Sequence, residues 1–129
     1  MSLQPVPIQN VPGVPDYTCT AFLPKSSDYC LLIPVINEGS RILTELGRAQ
    51  KAGVDRLVDI VICDGGSTDG SMNPDTLELY GVNTLLVKTG PGKQGAQLRM
   101  GLHFALTFGY KGVLTIDGNN KDSIEDVPE

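Results

Sequence analysis

Three polar segments of this chain have residue types and spacings that suit the binding of a phosphorylated ligand. The first is residues 64–71, DGGSTDGS, in which Asp64 precedes a glycine-rich loop. A carboxylate in this position can accept hydrogen bonds from a ligand, and the glycines permit positive φ angles and a close approach of the backbone. The pattern is equally typical of a turn in which Ser67 and Asp69 cap local amides. The loop alone leaves both interpretations open.

The second segment is residues 90–95, GPGKQG, which come just before a predicted helix. The start of a helix offers unpaired backbone amides and the positive end of the helix dipole, and Lys93 adds a cation. An anion such as a diphosphate would be stabilised there. The segment is not a Walker loop, because the spacing to Lys93 differs and neither Ser nor Thr follows the lysine. A simple turn between a strand and a helix is the alternative interpretation.

The third segment is residues 117–122, DGNNKD. Asp117 and Asn119 carry oxygen ligands two residues apart just after a predicted strand, and a hard divalent cation such as Mg²⁺ or Mn²⁺ prefers such ligands. The cation could also hold phosphate oxygens. The segment does not fit the pattern of an EF-hand loop, since the glutamate of that loop would fall on Pro128. The segment therefore predicts a metal site at Asp117 and Asn119.

Four apolar runs position these polar segments. Residues 30–36 lead into Asn37 and Glu38, residues 58–63 into Asp64, residues 84–87 into Lys88, and residues 113–116 into Asp117. Segments with helical spacing lie between the runs, at about 40–52, 74–80 and 94–108, which predicts an α/β domain with an open, mostly parallel, twisted sheet and helices on both faces. Ligands bind such sheets at the carboxyl ends of the strands, where the strand order reverses. We therefore expect the functional side chains to lie at these strand ends.

The apolar positions of the two longer predicted helices indicate which side of each helix faces the sheet. In the first helix they are Ile42, Leu43, Leu46 and Ala49. In the last helix they are Ala96, Leu98, Leu102, Ala105 and Leu106. His103 lies beside the second stripe without a partner at metal spacing, so we interpret it as a packed or surface residue.

The chain divides into two parts on composition. Residues 1–28 contain five prolines and little periodicity, which predicts an extended arm on the surface of the domain. Residues 29–129 form the predicted α/β domain. A helix start at Ser123 comes too close to Glu129 for that helix to complete a core face, so we expect the domain to be truncated.

The composition narrows the function classes. The formal charge of −5 argues against the electrostatic footprint of a nucleic-acid or anionic-membrane binder. The three cysteines fit neither a disulfide framework nor a zinc motif and are expected to be free, which favours a cytoplasmic setting. We find neither a secretory signal nor an apolar run long enough to span a membrane.

Taken together, four co-linear motifs resemble the family 2 glycosyltransferases, and most of all the polyprenyl (dolichol) phosphate sugar synthases. The motifs are residues 33–38, residues 64–71, residues 92–96 with Arg99 and Gly101, and residues 115–119. The resemblance covers residues 29–129. It implies a GT-A fold with a Rossmann-like first half that binds a UDP- or GDP-linked sugar, and glycosyl transfer with inversion at the anomeric carbon.

The resemblance also implies a role for each matching residue. Pro34, Asn37 and Glu38 would line the base and ribose pocket, Asp64 would bind the base, Lys93 and Arg99 would face the diphosphate, and Asp117 would belong to the metal motif. The chain departs from the family by having Asp64-Gly65 where two aspartates are usual, and Asp117-Gly118-Asn119 in place of Asp-x-Asp. The acceptor-binding half and the later catalytic motifs of the family lie beyond Glu129. The resemblance therefore assigns no residue of this chain as the general base. We expect the chain to bind a donor sugar better than it transfers one.

The acceptor implied by the resemblance is a polyprenyl phosphate, which would place the full-length protein at the cytoplasmic face of a membrane. Two other classes of function remain open: a non-catalytic nucleotide-binding or interaction module, and another doubly wound domain such as a nucleotidyltransferase or a phosphoacceptor receiver that uses Asp64. A homo-oligomer is a further expectation, because an uncovered sheet edge invites association.

Overall fold

The structure is a computed structural model that describes residues 5–116. It contains six strands and four helices, which we number in chain order. The strands are β1 (Val6–Ile8), β2 (Tyr17–Ala21), β3 (Tyr29–Val35), β4 (Asp59–Asp64), β5 (Val82–Lys88) and β6 (Gly112–Thr115). The helices are α1 (Ser40–Ala52), α2 (Val54–Leu57), α3 (Pro74–Leu79) and α4 (Gln94–Thr107).

The six strands form one mixed sheet in the order β1-β2-β5-β4-β3-β6. The four strands from β3 to β6 run parallel, whereas β2 is antiparallel to both β5 and β1. The chain proceeds from β3 through β4 to β5 in one direction and then returns to place β6 on the other side of β3. The predicted α/β class with a mostly parallel sheet is therefore confirmed, and the strand order reverses at β3.

Helices cover both faces of the central strands because successive side chains of a buried strand point to opposite sides. One core cluster joins Leu31, Ile33 and Ile62 of the sheet to residues of α1, α2 and α3. The other joins Cys30, Leu32, Val61 and Cys63 to residues of α4. All three cysteines are free, as predicted, and all three are buried.

Where the sequence predicted an extended arm, the described amino-terminal residues contribute the strands β1 and β2 to the sheet. In β2, Tyr17 pairs with Lys88 of β5, and the Tyr17 side chain is buried in the α4 layer. The Tyr17 hydroxyl lies 2.7 Å from Nδ1 of His103, so this histidine is a packed residue. The strand β2 has only five residues and lies between prolines, so the sequence shows no periodicity from which it could be predicted.

The predicted apolar stripe of α4 is wrong in part. The buried positions are Ala96, Gln97, Met100, Gly101, Phe104 and Ala105, whereas Leu102 and Leu106 remain 42% and 79% exposed. The small residue at position 101 explains the rotation of the helix. A Cβ on Gly101 would lie 2.8 Å from Sγ of Cys63, so α4 packs more closely on the sheet than a leucine face would allow.

Candidate functional site

A cleft of about 370 Å³ lies at the carboxyl ends of β3 and β4, on the side of the sheet that carries α4. We call it the strand-end cleft. It is lined by Pro34, Val35, Ile36, Glu38, Gly65, Gly92, Lys93, Gln94 and Gln97. The predicted site residues Pro34 and Glu38 of one motif and Lys93 of a distant one thus meet around one cleft where the strand order reverses.

Pro34 lies near the carboxyl end of β3 and lines the cleft. The carbonyl of Val35 accepts a hydrogen bond from Gly65 N at 2.9 Å on the β4 side, and the carbonyl of Leu32 accepts from Ile116 N at 3.2 Å on the β6 side. The alternation of the ladder directs the nitrogen of Pro34 toward β6. Because proline has no N–H, Pro34 cannot donate a ladder hydrogen bond on this side of β3.

Gln97 forms the inner wall of the cleft and was missed by the sequence analysis. Its buried side-chain Nε2 donates to the carbonyl of Val35 at 2.8 Å and to that of Cys63 at 2.9 Å. One amide therefore ties together the ends of β3 and β4. A signal did exist, since positions 97, 101 and 104 share a face of α4 and a lone amide on an apolar face requires buried partners.

Glu38 supplies the carboxylate of the cleft. Its side chain is 14% exposed, and Oε2 lies 3.1 Å from Nη2 of Arg41, the second residue of α1. The Arg41 Nε also donates to the carbonyl of Glu38 at 3.2 Å. The carboxylate is held at the wall of the cleft, where it can accept hydrogen bonds from hydroxyl or amide donors of a ligand.

Asn37 does not line the cleft but fastens the loops around it. Its φ is +47°, and its side-chain Oδ1 accepts hydrogen bonds from the backbone N–H groups of Thr68 at 2.8 Å and Asp69 at 3.1 Å. In return, Asn37 N donates to Ser67 Oγ at 2.9 Å, and Gly39 N donates to Asp69 Oδ2 at 3.1 Å. The loops after β3 and β4 are thus joined by four hydrogen bonds.

Asp64 closes the first turn of the glycine-rich loop. The residue is 2% exposed, and Oδ1 accepts hydrogen bonds from Ser67 Oγ at 2.6 Å and from Ser67 N at 3.0 Å. Further along the loop, hydrogen bonds from the hydroxyl and amide of Ser71 lower the pKa of Asp69. The loop was interpreted either as a ligand-binding loop or as a turn that caps local amides, and its conformation shows the capping of local amides.

The start of α4 presents a cation and open backbone donors to the cleft. No side chain caps this helix at Lys93, and the carbonyl of Lys93 accepts from Ala96 N at 3.0 Å. The first N–H groups of a helix have no acceptor within it, so they can bind an anion. Gly92 has a φ of +122°, and a Cβ there would collide with Ala96, so the approach to the helix requires glycine.

Arg99 lies apart from the strand-end cleft. It is exposed on α4, and its Nε donates to the carbonyl of Gly13 at 3.0 Å. Of the two cations assigned to a diphosphate, Lys93 lines the cleft and Arg99 binds the amino-terminal segment.

The predicted metal ligands Asp117 and Asn119 lie outside the described residues. Within residues 5–116 we find no group of three or more His, Cys, Asp or Glu side chains that could hold a metal ion. The last described residue, Ile116, is bonded to Leu32 of β3. The described chain therefore ends beside the strand whose carboxyl end lines the cleft.

Comparison with protein families, curated proteins and solved structures finds no match for this chain. Nor does the described part of the chain contain a helix long and apolar enough to cross a membrane. The functional assignment therefore depends on the sequence motifs and on the geometry of the strand-end cleft.

Proposed function

We propose that this chain is the donor-binding part of an inverting family 2 glycosyltransferase with a GT-A fold, and that the strand-end cleft binds a UDP- or GDP-linked sugar. The observation that supports the proposal most is the meeting of Pro34, Glu38 and Lys93 around one cleft at the reversal of strand order. These residues come from two separate motifs of the family resemblance. Doubly wound sheets bind nucleotides in this position.

The two walls of the cleft would receive different parts of the ligand. Glu38 would accept hydrogen bonds from the ribose hydroxyls or the base, while Lys93 and the first amides of α4 would face the diphosphate. The cleft is large enough for part of a nucleotide, since ligand pockets span roughly 300–1,000 Å³. In this proposal Asn37 and Asp64 act indirectly by holding the loops, and Arg99 has no contact with the donor.

The implied Mg²⁺ or Mn²⁺ would be held by Asp117 and Asn119, as the family resemblance indicates. Bound there, the cation would neutralise charge that develops on the leaving nucleotide. The described residues would bind and orient the donor. The proposed acceptor is a polyprenyl phosphate, and its binding half would lie beyond Glu129.

Calorimetric titration with UDP and GDP, with and without Mg²⁺ or Mn²⁺, tests the proposal. We expect at least one nucleotide to bind, and we expect Lys93→Ala to weaken binding by roughly 1 to 2 kcal/mol because a hydrogen bond to a charged group is lost. Lys51→Ala is the matched control, since Lys51 is an exposed lysine in the last turn of α1. No heat with either nucleotide, or equal losses for the two variants, would contradict the proposal.

The phosphoacceptor alternative is disfavoured by the burial of Asp64 and its bonds to Ser67, because a phosphoacceptor carboxylate must be open to its donor. Labelling with acetyl phosphate followed by mass spectrometry tests this directly. A second experiment, an assay of sugar transfer, distinguishes a non-catalytic nucleotide-binding module from the proposed enzyme. It would bind the nucleotide but would not transfer sugar when longer natural sequence follows residue 129.

A further inference from the structure

The segment that connects β1 to β2 lies at the same edge of the sheet as the strand-end cleft. Because β2 runs antiparallel to β5, its first residue, Tyr17, pairs with Lys88, the last residue of β5. The residues just before β2 therefore lie beside the segment that leads from β5 to Lys93 in the wall of the cleft. We call residues 9–16 the β1–β2 loop.

The β1–β2 loop holds the backbone at Gly90. The carbonyl of Asp16 accepts hydrogen bonds from Thr89 N at 2.9 Å and from Gly90 N at 3.0 Å. The two segments are so close that a Cβ on Gly90 would lie 2.9 Å from the backbone nitrogen of Asp16. The carbonyl of Gly90 accepts from Nζ of Lys88 at 2.8 Å. Both polar groups of the Gly90 backbone are therefore bonded three residues before Lys93.

Two side chains hold the β1–β2 loop in this position. Oδ1 of Asp16 accepts a hydrogen bond from Asn10 N at 3.1 Å, which joins the two ends of the loop. Nε of Arg99 donates to the carbonyl of Gly13 at 3.0 Å, which joins the middle of the loop to α4. The first turn of the same helix lines the cleft. The loop thus connects the approach to Lys93 with the body of α4.

We propose that Asp16 and Arg99 are positioning residues for the diphosphate of the donor, an inference that rests on the proposed function of the cleft. Through the β1–β2 loop they fix Gly90 and, with it, the path of the backbone to Lys93. Groups that bind a ligand must be held within about 0.5 Å of their productive positions by the residues behind them. Arg99 therefore acts on the donor indirectly, in contrast to the direct contact that the family resemblance implies.

The charge of Asp16 distinguishes this proposal from a simple electrostatic effect. Removal of a carboxylate leaves the protein less negative, which by itself favours the binding of an anion. If Asp16 acts through the loop, Asp16→Ala instead weakens the binding of a diphosphate. Asp16→Asn keeps a side-chain oxygen that can accept from Asn10 N, so it should preserve binding.

Calorimetry with the full 129-residue chain tests the proposal, with UDP and GDP compared with uridine and guanosine. We expect Asp16→Ala to weaken the binding of the nucleoside diphosphate about fivefold, the effect of one lost hydrogen bond. The affinity for the nucleoside should stay the same, because it has no diphosphate. Asp16→Asn should bind the diphosphate at least as tightly as the unmodified chain.

Asp28→Ala is the matched control for the loss of an exposed aspartate. Asp28 forms surface ion pairs with Lys25 and Lys111, and it directly precedes β3 at the end of the strand away from the cleft. This variant should bind both kinds of ligand like the unmodified chain. Circular dichroism verifies that each variant is folded.

Arg99→Met and the double variant with Asp16→Ala separate positioning from direct contact. Arg99→Met should also weaken diphosphate binding about fivefold, and the double variant should lose little more than one single variant, since both act through one loop. Hydrogen exchange without nucleotide gives a second readout. The amides of Thr89 and Gly90 should exchange faster in Asp16→Ala than in Asp16→Asn.

The outcomes distinguish this inference from the proposed function. If neither nucleotide binds the unmodified chain, the proposed function fails and this inference fails with it. If a nucleotide binds, the inference alone is overturned by unchanged or tighter binding in Asp16→Ala, or by an equal loss in Asp16→Asn. It is also overturned by an equal loss for the nucleoside, or by losses that multiply in the double variant with Arg99→Met.

Discussion

The side-chain oxygen of Asn37 lies 2.8 Å from the backbone nitrogen of Thr68, and this contact joins the loops that follow β3 and β4. Asn37→Ala removes the acceptor and leaves an alanine at a φ of +47°. We expect a loss of about 2 kcal/mol in the free energy of unfolding, from the hydrogen bonds and from the left-handed backbone together. Urea denaturation measures this change.

Asn37→Gly separates the two causes, since glycine lacks the acceptor but adopts a positive φ without strain. Its stability should lie between that of the unmodified chain and that of Asn37→Ala. If both variants are as stable as the unmodified chain, the contact between the loops does not contribute to stability.

Gln97 should contribute to stability through its two buried hydrogen bonds. Gln97→Met preserves much of the side-chain volume but removes both donations, to the carbonyls of Val35 and Cys63. We expect a loss of about 1 to 3 kcal/mol, the usual cost of an unsatisfied buried group. Gln97→Glu should be less stable still at neutral pH, because a carboxylate would face two carbonyl oxygens. Equal stability of the Met and Glu variants would contradict this assignment.

Gly101 should resist substitution although alanine forms helices better. A Cβ at this position would lie 2.8 Å from Sγ of Cys63 and 3.0 Å from Cδ1 of Leu32. Overpacking costs about 1 to 3 kcal/mol, which exceeds the gain of up to about 1 kcal/mol in helix propensity. Gly101→Ala should therefore lower the melting temperature.

Gly47→Ala is the control for this prediction, since Gly47 lies within α1 and the nearest atom to an added Cβ is Cε2 of Tyr80 at 3.8 Å. It should raise stability by about 0.5 to 1 kcal/mol. Stabilisation by both substitutions would show that α4 can move away from the sheet at little cost.

The buried thiols should make the fold sensitive to alkaline pH. Burial raises the pKa of Cys19 to about 11 and, with the charge of Asp59 as a second cause, that of Cys30 to about 12. Above about pH 8.5 the unfolded chain loses these protons while the folded chain keeps them, so stability falls as the pH rises. The slope is about 1.4 kcal/mol per pH unit for each such thiol.

Cys30→Ala tests the sign of this effect. The variant should be less stable than the unmodified chain at neutral pH because the substitution leaves a cavity. Its free energy of unfolding should fall less steeply with pH, because one buried thiol is gone, so the difference in stability between the two chains should narrow between about pH 9 and pH 11. Urea midpoints across the pH series measure the difference. A constant difference would mean that Cys30 titrates alike in the folded and unfolded chains.

Asp117 should control the metal dependence of nucleotide binding if the proposed function is correct. Asp117→Ala deletes the stronger of the two proposed ligands, so Mg²⁺ or Mn²⁺ should no longer increase nucleotide affinity in calorimetry. Asp75→Ala, in the first turn of α3, is the control and should retain the metal effect. An unchanged metal effect in Asp117→Ala would place the ion elsewhere.

The central strands and α1 could be predicted from the sequence because their signals are local. The run at 30–36 gave a buried strand, and Gly53 ends α1 in the left-handed conformation with a φ of 78°. The predicted sheet class followed from the alternation of such segments. The start of β4 was predicted slightly early, since a short helix, Val54–Leu57, comes first.

What the sequence did not reveal depends on contacts between distant segments. The burial of β2 requires β5 as its neighbour, and the orientation of α4 depends on the space that Gly101 leaves over Cys63. For the candidate site, the sequence predicted that the functional residues lie at the carboxyl ends of the strands. It did not predict the direction in which each side chain points. The Nε of Arg99 donates to the carbonyl of Gly13, and no sequence pattern predicts that contact.

The antiparallel pairing of Tyr17 with Lys88 has a consequence for the biosynthesis of this protein. The ribosome makes β1 and β2 before the parallel strands, and this pair cannot join the sheet until β5 has emerged. Contacts between such distant positions form slowly, since a long loop must close first. The amino-terminal segment therefore stays apart from the sheet during synthesis until β5 has been made.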